Sequence, residues 1–231
     1  MKKNSRSVSR KQLTQRAKAK RILMLIRSAV HRTTALGVIR DTSHSDPFRI
    51  LISTILSQRT RDSVTEKVSD RLFEKYNRPD SFARANLTEL ASDIRSVSFY
   101  NQKAVNIIET SKQLLALHRG EVPRNYSELL QLPGVGRKTA GCVLVYGFGE
   151  PAIPVDTHVH RISNRIGLVR TKTPDETEEA LEKIYDKRYW IDINELFVSF
   201  GQTVCLPINP RCQACPVKSI CQYYREKARK N

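Results

Sequence analysis

Lys138 and Asp156 frame the stretch in which this sequence can do covalent chemistry, Gln131 to His158, QLPGVGRKTAGCVLVYGFGEPAIPVDTH. A lysine amine attacks carbon only when neutral, and a carboxylate near it can steady a cation or take a proton. Lys138 follows Leu132-Pro133-Gly134-Val135-Gly136, which reads as a hairpin, and falls in the first turn of the helical run after it. There the helix dipole and the neighbouring Arg137 both disfavour an ammonium, so the amine is freed more easily. The glycines let an anion approach the backbone, and the N–H groups of the hairpin and helix start give it donors. A nucleotide P-loop is excluded, because Arg137 stands where a Walker motif needs glycine before Lys138-Thr139. A dinucleotide fingerprint is excluded too, because position 139 is Thr and Leu129-Leu130-Gln131 reads as a helix end.

A second constellation lies near the C-terminus. Cys205, Cys212, Cys215 and Cys221 are spaced C-x6-C-x2-C-x5-C. Four thiolates this close make one metal or cluster site. Structural zinc sites usually pair two short C-x2-4-C knuckles, and only one short pair is present, so spacing alone leaves zinc and iron–sulfur both open. Cys142, amid Ala140, Val143 and Leu144, reads as core filling. His158 and His160 form an H-x-H pair with no third ligand nearby in sequence, which is weak ground for a metal.

The elements that must hold these residues are helices. Ala140, Val143, Leu144 and Phe148 recur at helical spacing, which predicts a helix from Arg137 to about Phe148, stopped by Gly149-Glu150-Pro151. Such a helix rises roughly 17 Å. Five extended residues, Ala152 onward, reach back roughly as far, so Asp156 is expected to return beside Lys138 and to cap a new helix. Asp46-Pro47 starts a buried helix bearing Phe48, Leu51, Ile52, Ile55 and Leu56. A turn over Ser57–Thr60 leads to a helix that Asp62 is expected to cap. Pro79 and Asn86 punctuate short helices. Asn101 opens a longer one with Ala104, Ile107, Ile108, Leu114 and Leu115 inward, ending at Gly120. Further helices are predicted over about Lys11–Val30, Val159–Ile166, Asp175–Tyr185 and Asp192–Thr203, and Asp41–Ser45 reads as a polar turn. No alternating strand pattern is found, so the chain reads as all-α.

The 231 residues carry 40 Lys and Arg against 23 Asp and Glu, a formal net charge of +17. Twelve of the basic residues and none of the acids fall in residues 1–40. That balance points to a polyanionic partner, and residues 1–10 read either as part of that basic surface or as a solvated tail. No apolar run is long enough to span a membrane and no secretory leader is visible, so a cytoplasmic, nucleoid-associated place without disulfides is expected.

The order LPGVGRKTA, then VDTH, then C-x6-C-x2-C-x5-C resembles the endonuclease III family, helix-hairpin-helix DNA glycosylases with a Gly/Pro-rich loop and a following Asp. The likeness runs over about residues 20 to 225. It implies two α-domains: a six-helix barrel over about 40–150 holding the hairpin, and a second over 1–39 and 151–231 holding a [4Fe-4S] cluster on Cys205, Cys212, Cys215 and Cys221. It implies a monomer acting on double-stranded DNA that carries a damaged base or abasic site. Lys138 would be the nucleophile and Asp156 its carboxylate partner. Leu132, Gly134, Val135, Gly136, Arg137 and Thr139 would contact DNA. Two side chains would fill the gap left by an extruded base: Phe99, where relatives often have Gly-Leu, and either Gln58 or Arg59, depending on register. The Cys205–Cys212 loop carries one basic residue, Arg211, where relatives often have more, which shifts phosphate binding toward the N-terminus. The activity implied is bifunctional, base excision of oxidised pyrimidines followed by abasic-site β-lysis. The alternatives are a monofunctional mismatch or adenine glycosylase, which Lys138 disfavours, and a non-catalytic iron–sulfur DNA-binding protein.

Overall fold

The computed structural model describes residues 10–30, 34–42 and 45–228. The described residues are helical throughout, with no strand among them, and none of their helices is long and apolar enough to cross a membrane. The expectation for a basic tail falls on residues of which 1–9 lie outside the described set. The chain divides into two compact units, Met1–Arg32 with Val155–Asn231, and Thr33–Pro154.

In the first unit, α1 (Arg10–Ala29) is drawn to the C-terminal half of the chain by a buried stripe, Ala19, Ile22, Leu23 and Ile26. The stripe packs on α11 (Pro174–Ile184) and α12 (Trp190–Thr203). The hydroxyl of buried Tyr185 donates to the Ala19 carbonyl at 3.1 Å, and burial holds that phenol well above its usual pKa. Lys18 Nζ donates to the Gly167 carbonyl at 3.1 Å, just past the end of α10 (Thr157–Ile166), where a cation suits the helix dipole.

The second unit is built around α3 (Pro47–Ser57). Asp46 caps it, Oδ1 accepting from Phe48 N at 2.9 Å, and Pro47 fills the first helical position. Phe48, Ile50, Leu51, Ile52, Ile55 and Leu56 are all buried. At roughly 1.5–3 kcal/mol for each fully buried apolar side chain, this one helix contributes a large share of the unit's hydrophobic stabilisation. Around it lie α2 (Ala35–Thr42), α4 (Asp62–Lys75), α7 (Tyr100–His118) and α9 (Arg137–Cys142). The short α5 (Pro79–Ala83) and α6 (Leu87–Asp93) pack on α7. Phe48, Phe73, Tyr76 and Phe82 form an aromatic cluster with centroids 5.2–6.2 Å apart, mostly edge to face.

The structure departs from the sequence expectations at several places. Arg61, not Asp62, is the N-cap of α4, and the Asp62 carboxylate instead accepts from Ala35 N at the start of α2. Helix α2 runs on to Thr42, over the first two residues of the polar turn expected at Asp41–Ser45. Helix α7 starts after Phe99 rather than at Asn101, and it ends at His118 with Arg119 left-handed. Leu115, expected inward, is 42% exposed, because the buried stripe runs through Ala104, Ile107, Ser111 and Leu114 instead. The helix after the hairpin is regular only to Cys142, and Val143–Gly147 form a π turn. The wider turn lets Gly147 sit against Pro47, where a Cβ would lie 3.0 Å from the proline Cα.

Candidate active site and nucleic-acid interface

The hairpin between α8 (Tyr126–Leu129) and α9 is held from three sides. Val135 N donates to the Leu132 carbonyl at 3.1 Å, closing the turn. Thr110 Oγ1 donates to the Pro133 carbonyl at 2.8 Å. Gln58 Nε2 donates to the Gly134 carbonyl at 2.8 Å and to Thr139 Oγ1 at 3.2 Å. Leu132 and Val135 point into the core and anchor the turn by burial. Gly136 is the N-cap of α9 and makes no side-chain cap bond, and the N–H groups of a helix start suit an anion. Arg137 is exposed, Lys138 is half-buried in the first turn, and Thr139 is buried.

The two glycines of the hairpin differ. Gly134 has φ +76°, and a Cβ there would lie 2.7 Å from Asn106 Nδ2. Gly136 has φ −99°, and a Cβ there would meet nothing within 4 Å. Gly134→Ala is therefore expected to destabilise the hairpin and lower affinity for every DNA sequence alike. Gly136→Ala should leave thermal stability near wild type and affect only the approach of a phosphate. Melting curves and binding isotherms for the two variants check this; equal destabilisation by both would contradict it.

After the π turn the chain runs back extended and buried through Ile153 and Pro154. Pro154 packs on Gly141, where a Cβ would lie 3.3 Å from the proline Cβ, one turn beyond Lys138. Asp156, in the other unit, is the N-cap of α10. Its Oδ1 accepts from His158 N and Val159 N, both at 2.9 Å.

Gln58 and Arg59 have different surroundings. Gln58 is half-buried and spent on the hairpin, as above. Arg59 is exposed, sits at φ +54° and places its guanidinium over the Phe99 ring, 5.5 Å from the centroid. Phe99 is 62% exposed at φ +57°. The two turns meet through Ser98, whose Oγ donates to the Arg59 carbonyl at 2.8 Å. Left-handed backbone at two non-glycine residues costs about 1–3 kcal/mol each and survives only where neighbours enforce it.

In the other unit the four cysteines line one cavity together with Arg165 and Val217. Among the described residues no three His, Cys, Asp or Glu are gathered to hold a single metal ion. Two arginines of α10 fix the loop. Arg161 donates to the Cys205 carbonyl at 2.9 Å, and Arg165 donates to the Leu206 and Pro207 carbonyls at 2.7 Å while its NH1 lies 3.8 Å from Cys205 Sγ. The Arg165 guanidinium also stacks over Tyr223. Single 3₁₀ turns, Cys212–Ala214 and Lys218–Ile220, set the remaining cysteines, with Cys215 N bonded to the Cys212 carbonyl at 3.2 Å. Burial pushes the Cys215 thiol up to about 11 and raises Cys221 as well. The histidine pair is otherwise engaged: His160 Nδ1 lies 2.7 Å from Thr177 Oγ1, and His158 Nδ1 lies 3.1 Å from Arg161.

An all-helical chain with a braced hairpin feeding a lysine-bearing helix, and a four-cysteine loop in its other unit, falls in the class of helix-hairpin-helix proteins. Residues 52–187 match the model of the HhH-GPD superfamily of base excision DNA repair proteins. Endonuclease III of Thermotoga maritima is 51% identical over 190 residues, which is 82% of this chain and 89% of that protein. A solved structure of a trapped endonuclease III–DNA covalent intermediate superposes with a TM-score of 0.82 at 36% identity, covering 92% of this chain and 98% of the other. A thermostable thymine-DNA glycosylase superposes with a TM-score of 0.80 at 27% identity, covering 94% of this chain and 100% of the other. The chain belongs to the HhH-GPD superfamily of base excision repair proteins and, within it, to the endonuclease III family.

Proposed function

We propose that the protein binds double-stranded DNA, releases an oxidised pyrimidine and cleaves the strand at the abasic site. The observation that carries the lyase half is Lys138. It lies in the first turn of the hairpin helix of a chain 36% identical to an endonuclease III caught covalently on DNA. In this mechanism the lesion leaves the base stack. The neutral Lys138 amine bonds to the sugar C1′ while the bond to the base breaks and the base departs with that electron pair. The sugar ring opens to a Schiff base. The imine acidifies the C2′ proton, and its removal expels the 3′ phosphate oxygen, cutting the strand. Asp156 stabilises the positive charge that develops on the sugar or takes the proton from Lys138. The hairpin holds a phosphate through Gly134, Gly136, Arg137 and Thr139. Arg59 rather than Gln58 is the inserted side chain alongside Phe99, since Gln58 is occupied within the fold. A monofunctional relative such as the thymine-DNA glycosylase is the competing reading, and the amine at 138 speaks against it. The test is a panel of duplexes carrying one lesion each, scored separately for base release and nicking. Nicking of oxidised-pyrimidine duplexes supports the proposal, and base release without nicking overturns the lyase half.

The Thr33–Pro154 unit is taken as the barrel domain and the other as the cluster domain, and the protein as a monomer working where DNA is housed. Cys205, Cys212, Cys215 and Cys221 would hold a [4Fe-4S] cluster. The four cysteines line one shared cavity, and four thiolates are the ligand set of such a cluster. Bound there, the cluster would supply a structural tie for a segment with few apolar residues of its own. Purified protein is expected to be yellow-brown with about four iron and four sulfide per chain. Cys212→Ser should lower thermal stability and DNA affinity before it slows chemistry. Colourless protein with stoichiometric zinc would refute the cluster assignment.

A further inference from the structure

One lysine that the proposed chemistry does not use is buried beneath the DNA-facing turns. Lys103 lies in the first turn of α7 and is 3% exposed. Its ammonium donates to the Leu56 carbonyl at 2.7 Å, the Gln58 carbonyl at 2.6 Å and Thr60 Oγ1 at 3.1 Å, so each of its three protons has an acceptor. The Leu56 carbonyl belongs to the last turn of α3, where helical carbonyls lack partners and the helix dipole is negative. All three acceptors are neutral, and burial lowers the Lys103 pKa to about 8. Lysine is almost never fully buried without a charged partner, and the cost here is offset by three hydrogen bonds and the C-terminal end of α3.

That geometry links both exposed turns. Thr60 Oγ1, held by Lys103, accepts from Ser98 N at 3.2 Å and lies 3.3 Å from the Gln58 carbonyl. Ser98 Oγ returns a bond to the Arg59 carbonyl. The backbone N–H of Lys103 donates to the Phe99 carbonyl at 3.0 Å. A single residue thus touches the turn that presents Arg59 with its side chain and the turn that presents Phe99 with its backbone. The two left-handed residues, stacked on each other at the surface, are the ends of this chain of bonds.

We propose that Lys103 is a positioning residue that locks the Arg59 and Phe99 turns into one rigid unit, so that the two side chains enter the duplex together, an inference that rests on the glycosylase reading above. Lys103→Met keeps the length and removes the donors. Amide exchange in the free protein at residues 58–61 and 98–100 should rise together by about tenfold or more, the scale of one lost hydrogen bond to a charged group, while the core amides of α3 stay protected. Under single-turnover conditions, release of a paired lesion should fall by about tenfold relative to nicking of a preformed abasic site, which has no base to extrude. In an Arg59→Ala background, Lys103→Met should add little, because locking the two turns together no longer delivers two side chains to the duplex. Thr60→Val removes the link from Lys103 through Thr60 to Ser98 while keeping the ammonium, and is the variant to read if Lys103→Met does not fold. Unchanged exchange, exchange that rises in one turn only, additive losses, or equal losses of base release and nicking would each overturn the proposal. A wild-type protein that neither releases a base nor nicks would instead refute the glycosylase reading, and the exchange measurement would still decide what Lys103 does.

Discussion

Lys138→Gln is expected to abolish borohydride trapping of the protein on an abasic-site duplex. Borohydride reduces the Schiff base to a stable secondary amine, so trapping reports one covalent bond between one amine and the sugar. Gln has nearly the reach of Lys and a similar helix propensity, and position 138 is a half-buried site in the first turn of α9. The fold should therefore survive. The bracing of the hairpin by Thr110 and Gln58 does not pass through Lys138 and should stay in place. What disappears is the proposed nucleophile, because a carboxamide nitrogen does not attack C1′. Affinity for an abasic-site analogue should change by no more than about a few-fold, since one cation is removed from a formal net charge of +17. Gel-resolved adducts and a binding isotherm on the same preparation check both halves. An adduct that persists would mean that another amine performs the chemistry.

The local structure around the candidate site was legible in the sequence where local chemistry fixes it. Asp46-Pro47 and Asp156 announced helix starts, and each carboxylate does accept from the N–H groups that follow it. The hairpin was legible because its glycines and proline leave few conformations open. Other features depend on partners distant in the chain. Asp62 precedes a helical run and has the residue type of a cap, yet its carboxylate serves Ala35 of α2. The stripe of α7 buries Ala104, Ile107, Ile108 and Leu114 as expected but not Leu115, and it also takes in Lys103, Thr110 and Ser111, polar residues that an apolar periodicity passes over. Lys103 gives no signal at all in sequence, for its acceptors are carbonyls and a hydroxyl brought to it by the packing of α3 against α7. The left-handed turns at Arg59 and Phe99 were equally hidden, since neither residue type favours positive φ. Sequence does not separate Gln58 from Arg59, but their surroundings differ: Gln58 bonds to the hairpin, and Arg59 lies at the surface over Phe99.

Asp156→Asn is expected to slow base release by on the order of 10²-fold or more, the usual scale for loss of a well-placed electrostatic group. The choice of Asn matters because Asp156 also has a structural task. Its Oδ1 satisfies two N–H groups at the start of α10, and an amide oxygen can accept the same pair. Asn ranks with Asp as an N-cap, whereas Ala would cost roughly 1 kcal/mol at this position. The substitution thus removes the negative charge while keeping the cap, and the melting temperature should stay close to wild type. The chemistry separates in the same way. Formation of a cationic sugar during base departure depends on a nearby carboxylate, whereas attack on an abasic site already open as an aldehyde depends on it much less. Single-turnover base release should accordingly fall further than nicking of a preformed abasic site. A near-wild-type release rate with an intact fold would confine Asp156 to capping α10. A large loss of both rates with a lowered melting temperature would show that Asn fails as a cap here.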